Sequence, residues 1–469
     1  MGKILLTEAS GYIGSHLKDK LKVNHEIIAI SRNAQNKKNE KNVTWKSADL
    51  FDLDAITEVM EGIDTTIYLG HSMKTSAKLT QANFEDMDAL LADNVGCAAK
   101  KHGVKHIIFM SGIITNDSHL SLHLNSRLEC EKILRYYGVP VSTLRAGLII
   151  DSNGSSYPIF KRMIERLPAM ILPNWAYNMI EPVSVDDVID KLAMLVERSP
   201  KENEVFNITR PKVMNYQELF ERTATIFDKR LFTLHLPIIP IRLSRCWIKE
   251  KMNGEESVKK ALKEKQAEQQ IITTKQSKSN QNKRDEVKDV RAMTRFRIPK
   301  SYSIQDVTRE YAEFINNITL HLVNGTINEH EFNIQLPLIR KCILKMKRDN
   351  HDSINEMIVY KIVGGDLAMV KDSGNARFEF RRILDTNEGI AALQEYEPTL
   401  PWGVYKFTQA IAHKFVMGVF KQHMNHLASY EKNKQDSVNK IFTNLAMTTG
   451  VMIGACIGTR IYNKVLAKK

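Results

Sequence analysis

Short apolar runs alternate with amphipathic stretches through residues 1–235, and this alternation constrains the fold more than any other feature of the chain. Phe84–Lys101 is the clearest amphipathic stretch, since its apolar residues recur near the 3.6-residue helical period. Apolar, β-branched runs bounded by loop or helix signals are typical of buried parallel strands. Five runs have this character: Ile4–Leu6, Glu26–Ile30, Thr65–Tyr68, His106–Met110 and Val141–Leu144. The pattern predicts an α/β fold, in which crossover helices connect the strands of a doubly wound parallel sheet.

The length of 469 residues is too great for one ordinary domain, and a composition of 43% hydrophobic and 26% charged residues is that of a globular protein. Five cysteines have no paired spacing, which favours a reducing compartment over a disulfide framework. The first residues, MGKILLTEAS, contain no basic segment leading into a long apolar core. No signal peptide is therefore predicted, and a cytoplasmic protein is expected.

The surplus of positive charge is concentrated in one segment. The formal net charge is +13, and residues 242–300 hold 17 Lys or Arg against 8 Asp or Glu. Gln, Asn and Ser separate these charges and aromatic residues are few, so no nucleic-acid partner is predicted. Residues 236–300 are interpreted as a basic linker, partly helical or disordered.

Residues 301–430 are predicted to form a smaller α+β domain. Glu356–Val363 and Leu367–Val370 flank a Gly-Gly-Asp turn and predict a hairpin. Arg377–Ile383 alternates apolar and charged residues, as a half-buried strand does. Pro401 opens a long helix that we expect to lie across an antiparallel sheet. The apolar face of this helix is expected to carry Phe407, Ile411, Phe415, Val419 and Met424.

Residues 431–469 are predicted to form a C-terminal helix with a basic end. Ile441–Thr459 holds 19 residues without a charge, and Gly450, Gly454 and Gly458 recur every four residues within it. Such a helix would span roughly 28 Å, just enough for a thin bilayer. Two interpretations stay open: membrane contact through residues 441–459, and a helix that packs on the protein itself.

A glycine-bearing turn follows the first strand. The sequence Thr7-Glu8-Ala9-Ser10-Gly11-Tyr12-Ile13-Gly14 joins that strand to a helix, and its two glycines lie three residues apart. Glycines at such a turn let the backbone approach a pyrophosphate, which then rests on the helix N-terminus. The position within a β-α-β pattern therefore predicts a dinucleotide site.

This turn resembles that of the extended and atypical short-chain dehydrogenase/reductases, an NAD(P)-binding family that includes NAD-dependent epimerase/dehydratase-like proteins. The family turn reads Thr-Gly-x-x-Gly-x-x-Gly. Further similarities lie at Ala48–Leu50, Asp93–Asn94, Gly103–Ile108, Leu144–Gly147 and Val185–Val188, and, to a bacterial atypical subgroup, at Tyr68–Met73 and Ser126–Glu131. The resemblance implies a Rossmann-like domain over residues 1–235, with a small substrate region, and hydride transfer to a small carbonyl substrate of unknown identity. The cofactor-binding positions that it implies are Thr7, Ser10, Gly11, Tyr12, Ile13, Gly14, Arg32, Asp49, Leu50, Gly70 and His71.

Glu8 stands where the family has the first glycine of the turn. A Cβ atom is sterically unfavourable there if the turn needs a positive φ angle, and a carboxylate beside a pyrophosphate adds like-charge repulsion. Either Glu8 points away and a dinucleotide still binds, which the intact remainder of the turn favours, or the site is degenerate and the domain is a scaffold.

Arg32 follows the second strand, where an acidic residue would hold the ribose 2′-hydroxyl of NAD. An arginine suits the 2′-phosphate of NADP, so NADP is favoured over NAD as the cofactor. The alternative is an ordinary surface arginine in a basic chain.

The catalytic dyad of the family is substituted. Its members carry Tyr-x-x-x-Lys on the helix after the fifth strand, whereas this chain has His123 and Arg127 at the matching positions. Histidine titrates near neutral pH and arginine does not, so His123 could act as a general acid while Arg127 anchors a phosphate or carboxylate. The substitution also fits lost or altered chemistry. Ser111 ends the fifth strand and is the expected carbonyl-polarising residue, with a simple strand cap as the alternative.

Other catalytic and metal patterns are weaker. Two literal Tyr-x-x-x-Lys matches, Tyr157–Lys161 and Tyr430–Lys434, lie away from the dyad position and are expected by chance in a Lys-rich chain. The pairs His102/His106 and His119/His123 have helical metal spacing, but no third ligand is implied, so no metal is predicted.

The C-terminal half leaves the function open. Residues 372–381 and Leu400-Pro401-Trp402 resemble an uncharacterised domain that follows the NAD(P)-binding domain in some relatives. The strand and helix order is compatible with a helix-grip cavity for an apolar ligand, or with a packing domain that binds nothing. The chain is therefore interpreted as an NAD(P)-dependent oxidoreductase with a non-standard site. The alternative is a catalytically inactive NADPH-sensing or scaffold protein that acts through its C-terminal half and a membrane or partner contact.

Overall fold

Apolar strands, each followed by a crossover segment, build a parallel sheet in the first half of the chain. A computed structural model describes residues 2–70, 79–114, 120–151, 157–166, 169–208, 213–235, 289–349, 356–370, 375–384 and 386–432. The strands before residue 236 are β1 Lys3–Leu6, β2 Glu26–Ser31, β3 Val43–Ser47, β4 Thr65–Tyr68, β5 Leu79–Gln81, β6 His106–Gly112, β7 Val141–Ala146, β8 Leu148–Ile150, β9 Ala169–Leu172, β10 Met179–Ile180, β11 Pro182–Ser184, β12 Glu204–Ile208, β13 Met214–Asn215 and β14 Phe232–His235. The main sheet has the order β3-β2-β1-β4-β6-β7-β12, and each neighbouring pair is parallel.

Helices cover both faces of this sheet. They are α1 Tyr12–Leu21, α2 Leu53–Val59, α3 Phe84–Lys101, α4 Leu122–Tyr136, α5 Tyr157–Arg166, α6 Val185–Val196 and α7 Tyr216–Ile226. On one face, α1 and α6 bury Leu17 and Leu192; on the other, α2 and α3 bury Ile56 and Leu90. The predicted doubly wound α/β fold is confirmed, as is the helix Phe84–Lys101.

A smaller lobe follows β7. It contains three two-stranded ladders, β8 with β11, β9 with β14 and β10 with β13. A separate cluster that includes Ile164 of α5 and Phe220 of α7 forms its core.

A second sheet forms the C-terminal half. Its strands are β15 Val290–Arg297, β16 Asn324–Ile327, β17 Glu331–Leu336, β18 Lys341–Asp349, β19 Met357–Gly364, β20 Arg377–Arg382 and β21 Glu388–Tyr396. They are antiparallel in the order β16-β17-β18-β19-β20-β21-β15, and β5 extends the edge in parallel with β15. The accompanying helices are α8 Ile304–Ile318, α9 Trp402–Phe407 and α10 Gln409–Lys432. The expected α+β fold class of this half is confirmed.

Aromatic rings fill the space between the helices and the second sheet. The ring of Tyr311 on α8 lies 4.9 Å from that of Phe420 on α10 and 5.4 Å from those of Phe378 and Phe380 on β20, between ring centroids. These rings occupy the region where the helix-grip interpretation places an apolar ligand.

The linker prediction is wrong at its carboxyl end. Residues 290–297 form β15, which lies between β21 and β5 in the second sheet. The basic character of this stretch suggested solvent exposure, but Arg291 is fully buried and pairs with Asp49. Residues 236–288, the rest of the linker, lie outside the described residues.

The hairpin predicted around the Gly-Gly-Asp turn is also wrong. The strand β19 ends at Gly364 and pairs with β18 and β20. Gly365 has a φ of +115°, and a Cβ atom there would lie 2.5 Å from the carbonyl oxygen of Ile343. The chain turns toward β18 instead, where Leu367 donates its N–H to Ile343.

The long C-terminal helix is interrupted. Thr408, with φ −123° and ψ −83°, separates α9 from α10. Phe407 and Ile411 are exposed, contrary to the predicted apolar face. Phe420 and Met424 are buried further along α10.

The second sheet packs directly on the helices of the first domain. Met293, Val359 and Ile390 of the second sheet belong to the same buried cluster as Leu90 of α3. The strand β20 is consequently buried on both faces, and its predicted half-exposed character is wrong. Its charged residues face the first domain rather than water.

Among the described residues, no helix combines the length and apolar character needed to cross a membrane. The predicted tail segment, residues 441–459, lies outside the described part of the chain.

Candidate functional site: a cleft at the carboxyl ends of the parallel strands

The turn after β1 has the conformation of a glycine turn, although it carries Glu8. The backbone of Glu8 has a φ of +50°, and its carbonyl oxygen accepts a hydrogen bond from Gly11 N at 2.8 Å. Gly11 is the N-cap of α1. A Cβ atom on Gly14 would lie 2.2 Å from the carbonyl oxygen of Glu8, so Gly14 is required for the close approach of α1 to the turn. The condition considered from the sequence, a positive φ at Glu8, is therefore met.

Thr7 fixes the point where the strand order reverses. Its N–H donates to Ile67 O at 3.1 Å, and its Oγ1 accepts from Leu69 N at 2.8 Å, which joins the ends of β1 and β4. Ligands of open α/β sheets bind in the crevice outside such a switch point. Thr7, a predicted cofactor-binding position, is fully buried, and its hydroxyl makes this connection.

A cleft opens where β1, β2 and β3 end. It encloses about 650 Å³, including space open to solvent. Its lining residues are Glu8, Ser10, Ile30, Ser31, Arg32, Ala48, Asp49, Leu50, Phe51 and Leu91. Four of the predicted cofactor-binding positions, Ser10, Arg32, Asp49 and Leu50, thus line one cleft, and the start of α1 lies beside them. Arg32 is exposed, so its guanidinium can meet a ligand.

The wall formed by residues 49–52 is held by local hydrogen bonds. Asp49 Oδ1 accepts from Phe51 N at 3.1 Å. Asp52 Oδ1 accepts from Ala55 N at 3.2 Å and caps α2. These side chains fix the short connection between β3 and α2 in one conformation.

Arg127 joins the carboxyl ends of two strands. Its guanidinium donates to Gly70 O at 3.1 Å and to Met110 O at 2.6 Å, and it lies 4.5 Å above the ring of Phe109. The side chain is buried. Arg127 thus contacts backbone carbonyls, whereas the sequence predicted a contact with a cofactor phosphate or carboxylate.

His123 lies in the first turn of α4, one helical turn before Arg127, and is exposed. Partial burial and the positive charge of Arg127 lower the pKa of His123, and Asp88 opposes this shift. An imidazole with a lowered pKa is neutral at pH 7 and can accept a proton. The predicted role of His123 in proton transfer stays a prediction.

Two further hydroxyl groups lie beneath this region. Ser111 Oγ and Tyr68 Oη are buried and have no hydrogen-bond partner among the described residues. Burial raises the pKa of Tyr68 well above its usual value, which keeps the phenol protonated. Ser111 stays a predicted substrate contact, because its hydroxyl is not used within the described structure.

Sequence reasoning missed Asp88. This carboxylate is fully buried in α3 and accepts a hydrogen bond from Ser126 Oγ at 3.1 Å. Its charge also acts on His123. A carboxylate at a buried position of an otherwise apolar helix face was the signal that could have identified it.

Of the other positions considered from the sequence, two are not described and two contact residues outside the cleft. His71 and His119 lie outside the described residues. His106 is buried in β6 against Ser142 Oγ at 2.8 Å, and Lys161 lies 4.9 Å above the ring of Phe227. Within the described part of the chain, no group of three His, Cys, Asp or Glu side chains is suited to a metal ion.

Comparison with known proteins gives a family match for the first domain. Residues 9–163 match the family model described as NAD(P)H-binding. Over 144 residues the chain is 34% identical to the auxiliary protein GraX of Staphylococcus aureus (strain NCTC 8325 / PS 47). This alignment covers 30% of this chain and 43% of GraX. The alignment thus spans less than half of that relative's length.

More distant similarities extend further along the chain. Over 254 residues it is 22% identical to the N-acetyl-alpha-D-glucosaminyl-diphospho-ditrans,octacis-undecaprenol 4-epimerase of Escherichia coli O157:H7, covering 50% of this chain and 75% of that enzyme. Among solved structures, a nucleoside-diphosphate-sugar epimerase of Staphylococcus aureus has 17% identity and a TM-score of 0.43, covering 50% of this chain and 80% of that one. The UDP-N-acetylglucosamine 4-epimerase of Bacillus cereus has 17% identity and a TM-score of 0.41, with coverages of 50% and 86%.

The glycine turn and the cleft belong to a Rossmann-like domain, and all of the cleft residues except Glu8 lie within residues 9–163, the range that matches the NAD(P)H-binding family model. The resemblance to atypical, epimerase/dehydratase-like short-chain dehydrogenase/reductases is confirmed for this domain. The C-terminal half lies beyond the residues that match this family model.

Proposed function

We propose that the cleft binds the adenosine half of a pyridine dinucleotide and that the chain is an NAD(P)-dependent oxidoreductase of the short-chain type. The observation that carries the proposal is the turn at Glu8, which keeps its positive φ and its packing on Gly14 although a glycine is missing. Strained backbone conformations of this kind cluster at functional sites, and this one borders the cleft.

The residues present fit the cofactor. The backbone N–H groups that open α1 would receive the pyrophosphate, since a helix N-terminus attracts anions. Arg32, exposed in the cleft after β2, would receive a 2′-phosphate, which supports NADP over NAD. Asp49 and Leu50 would border the base.

The cofactor would supply hydride transfer to or from a small substrate with a carbonyl or hydroxyl group. Neutral His123 would take the proton of a substrate hydroxyl during oxidation and return it during reduction. Arg127 would hold the two strand ends in place, and burial together with the charge of Arg127 lowers the pKa of His123. Ser111 would donate a hydrogen bond to the substrate oxygen.

Titration of the full chain with NADPH and NADH, followed by nucleotide fluorescence, tests the proposal. We expect dissociation constants below the millimolar range, with NADPH bound about tenfold more tightly, the value of one charge-assisted contact. An Arg32→Gln variant should bind both nucleotides equally. Absence of binding for both would contradict the proposal and leave the scaffold interpretation. Binding without turnover across carbonyl substrates would retain only the sensing function.

A further inference from the structure

Three consecutive residues of the cleft wall are held by the second sheet. The guanidinium of Arg291 on β15 lies 3.6 Å from the ring centroid of Phe51, and its Nη2 is 3.5 Å from Asp49 Oδ2. Arg377 on β20 donates a hydrogen bond to the carbonyl oxygen of Phe51. The wall is therefore contacted from two strands of the other domain.

Leu50, between these two residues, is connected to the same sheet through one intermediary. Its carbonyl oxygen accepts from Asn94 Nδ2 at 2.9 Å, and Asn94 Oδ1 accepts from Arg381 Nη1 at 2.8 Å. Residues 49, 50 and 51 all line the cleft. The second sheet thus supports the surface against which the base of a bound nucleotide would lie.

Burying the charged side chain of Arg291 costs hydration free energy, which its contacts with the cleft wall help to offset. Its side chain is fully buried, and desolvation lowers its pKa while Asp49 and Asp289 oppose that shift. A buried guanidinium is retained only where opposite charges and an aromatic face compensate for lost hydration. In this chain two cleft residues, Asp49 and Phe51, provide part of that compensation, and Asp289 provides a further opposite charge.

We propose that Arg291 is a positioning residue for the nucleotide site, so that nucleotide binding and the docking of the second sheet are thermodynamically coupled. A ligand that binds only the ordered wall must favour the docked state, and docking must raise ligand affinity by the same factor. The second domain then responds to nucleotide occupancy of the first. The inference rests on the proposed function of the cleft.

The test uses the full chain with Arg291→Met, which keeps side-chain length and removes the charge. The probes are NADPH and ADP, and ADP lacks the nicotinamide half. Arg382→Met is the matched control, because Arg382 lies on β20 and binds Glu356 and the Tyr302 carbonyl within its own domain. We expect Arg291→Met to weaken both ligands about tenfold and Arg382→Met to leave their affinities unchanged.

Amide hydrogen exchange shows whether the Arg291→Met variant has lost only the positioning of the cleft wall or has lost its fold. In the wild type, NADPH should slow amide exchange in residues 290–297 as well as around the cleft. In Arg291→Met, saturating NADPH should protect the cleft but no longer protect β15. If Arg291→Met does not fold, Arg377→Met takes its place, which removes the hydrogen bond to Phe51 O together with the contacts of Arg377 to Asn375 O and Glu395. Saturating NADPH should then no longer protect β20, the strand that carries Arg377.

The possible outcomes distinguish the two proposals. A wild type that binds neither NADPH nor ADP would overturn the proposed function, and the coupling with it. A wild type that binds NADPH without protecting β15, or an Arg291→Met variant with unchanged affinities, would overturn the coupling alone.

Discussion

Glu8 combines a backbone conformation suited to glycine with a carboxylate at the cleft. A left-handed φ costs a non-glycine residue roughly 1 kcal/mol, which the packing of α1 on the turn compensates. The carboxylate is exposed and borders the position proposed for the pyrophosphate. Glu8 can therefore affect nucleotide binding in two separate ways, through its backbone conformation and through its charge.

Two substitutions separate them. Glu8→Gln keeps the Cβ atom and removes the charge, and Glu8→Gly removes both. Because the turn is already formed, we expect the charge to be the main penalty. Both variants should then bind NADPH about fivefold more tightly at low salt, as estimated for one screened repulsion. Fluorescence titration at low and high salt measures the gain, which should shrink as salt screens the charge.

The comparison between the two variants is decisive. A gain in Glu8→Gly without a gain in Glu8→Gln would assign the penalty to the backbone. No gain in either would contradict the idea that Glu8 opposes nucleotide binding.

At the scale of elements, the first domain was predictable from the sequence and the second only in outline. Five of the seven strands of the first sheet are apolar runs bounded by loop or helix signals, so the sequence pattern located them, whereas β3 and β12 were not among the predicted runs. The strand β20 alternates phenylalanines with Arg377, Glu379 and Arg381. Such alternation predicts that one face of the strand is exposed to solvent. That face is buried instead, because α3 supplies Asp93 and Asn94 as partners for Arg381.

The sequence prediction was also wrong at β15, because it took the charged residues there to be exposed to solvent. A basic stretch is usually solvated, and nothing local indicates that Arg291 would pair with Asp49, more than two hundred residues earlier. The candidate cleft was predictable where it depends on the turn and on strand ends. Its support by the second sheet depends on long-range docking and could not be predicted from local patterns.

His106 in β6 gives a pH dependence to the stability of the sheet. Burial lowers its pKa from 6.5 to about 4, so between these pH values the unfolded chain binds more protons than the folded one. This contribution to stability is complete above pH 6.5 and is lost as the pH falls toward 4. From His106 alone we expect the free energy of unfolding to be roughly 2 kcal/mol lower at pH 5 than at pH 7.5.

Urea unfolding of the wild type and of His106→Asn at both pH values isolates this contribution. The asparagine can still hydrogen-bond with Ser142 but does not titrate. The pH dependence of the variant should therefore be smaller by the stated amount. Equal pH dependence in the two proteins would show that His106 is not the group responsible.

At the scale of the whole molecule, the two halves share a buried ionic network as well as an apolar cluster. Arg381 of β20 donates to Asp93 and Asn94 of α3 and to Glu379 of its own strand. Its guanidinium is fully buried. Gln394 of β21 donates to Glu379, and Tyr137, the residue that follows α4, donates to Asp93 at 2.7 Å.

A single substitution in this network should be far more damaging than a balanced set. Arg381→Met leaves Asp93 and Glu379 as buried carboxylates without a cation, and breaking a buried pair in this way costs about 3–5 kcal/mol. The triple variant Arg381→Met, Glu379→Gln, Asp93→Asn removes all three charges together. We expect it to recover most of the lost stability, because replacing a whole buried ion pair with neutral groups is often close to neutral. Urea unfolding of the full chain measures both variants against the wild type. A triple variant as unstable as Arg381→Met would mean that the hydrogen-bond geometry of the guanidinium, rather than charge compensation, holds the second sheet to the first domain.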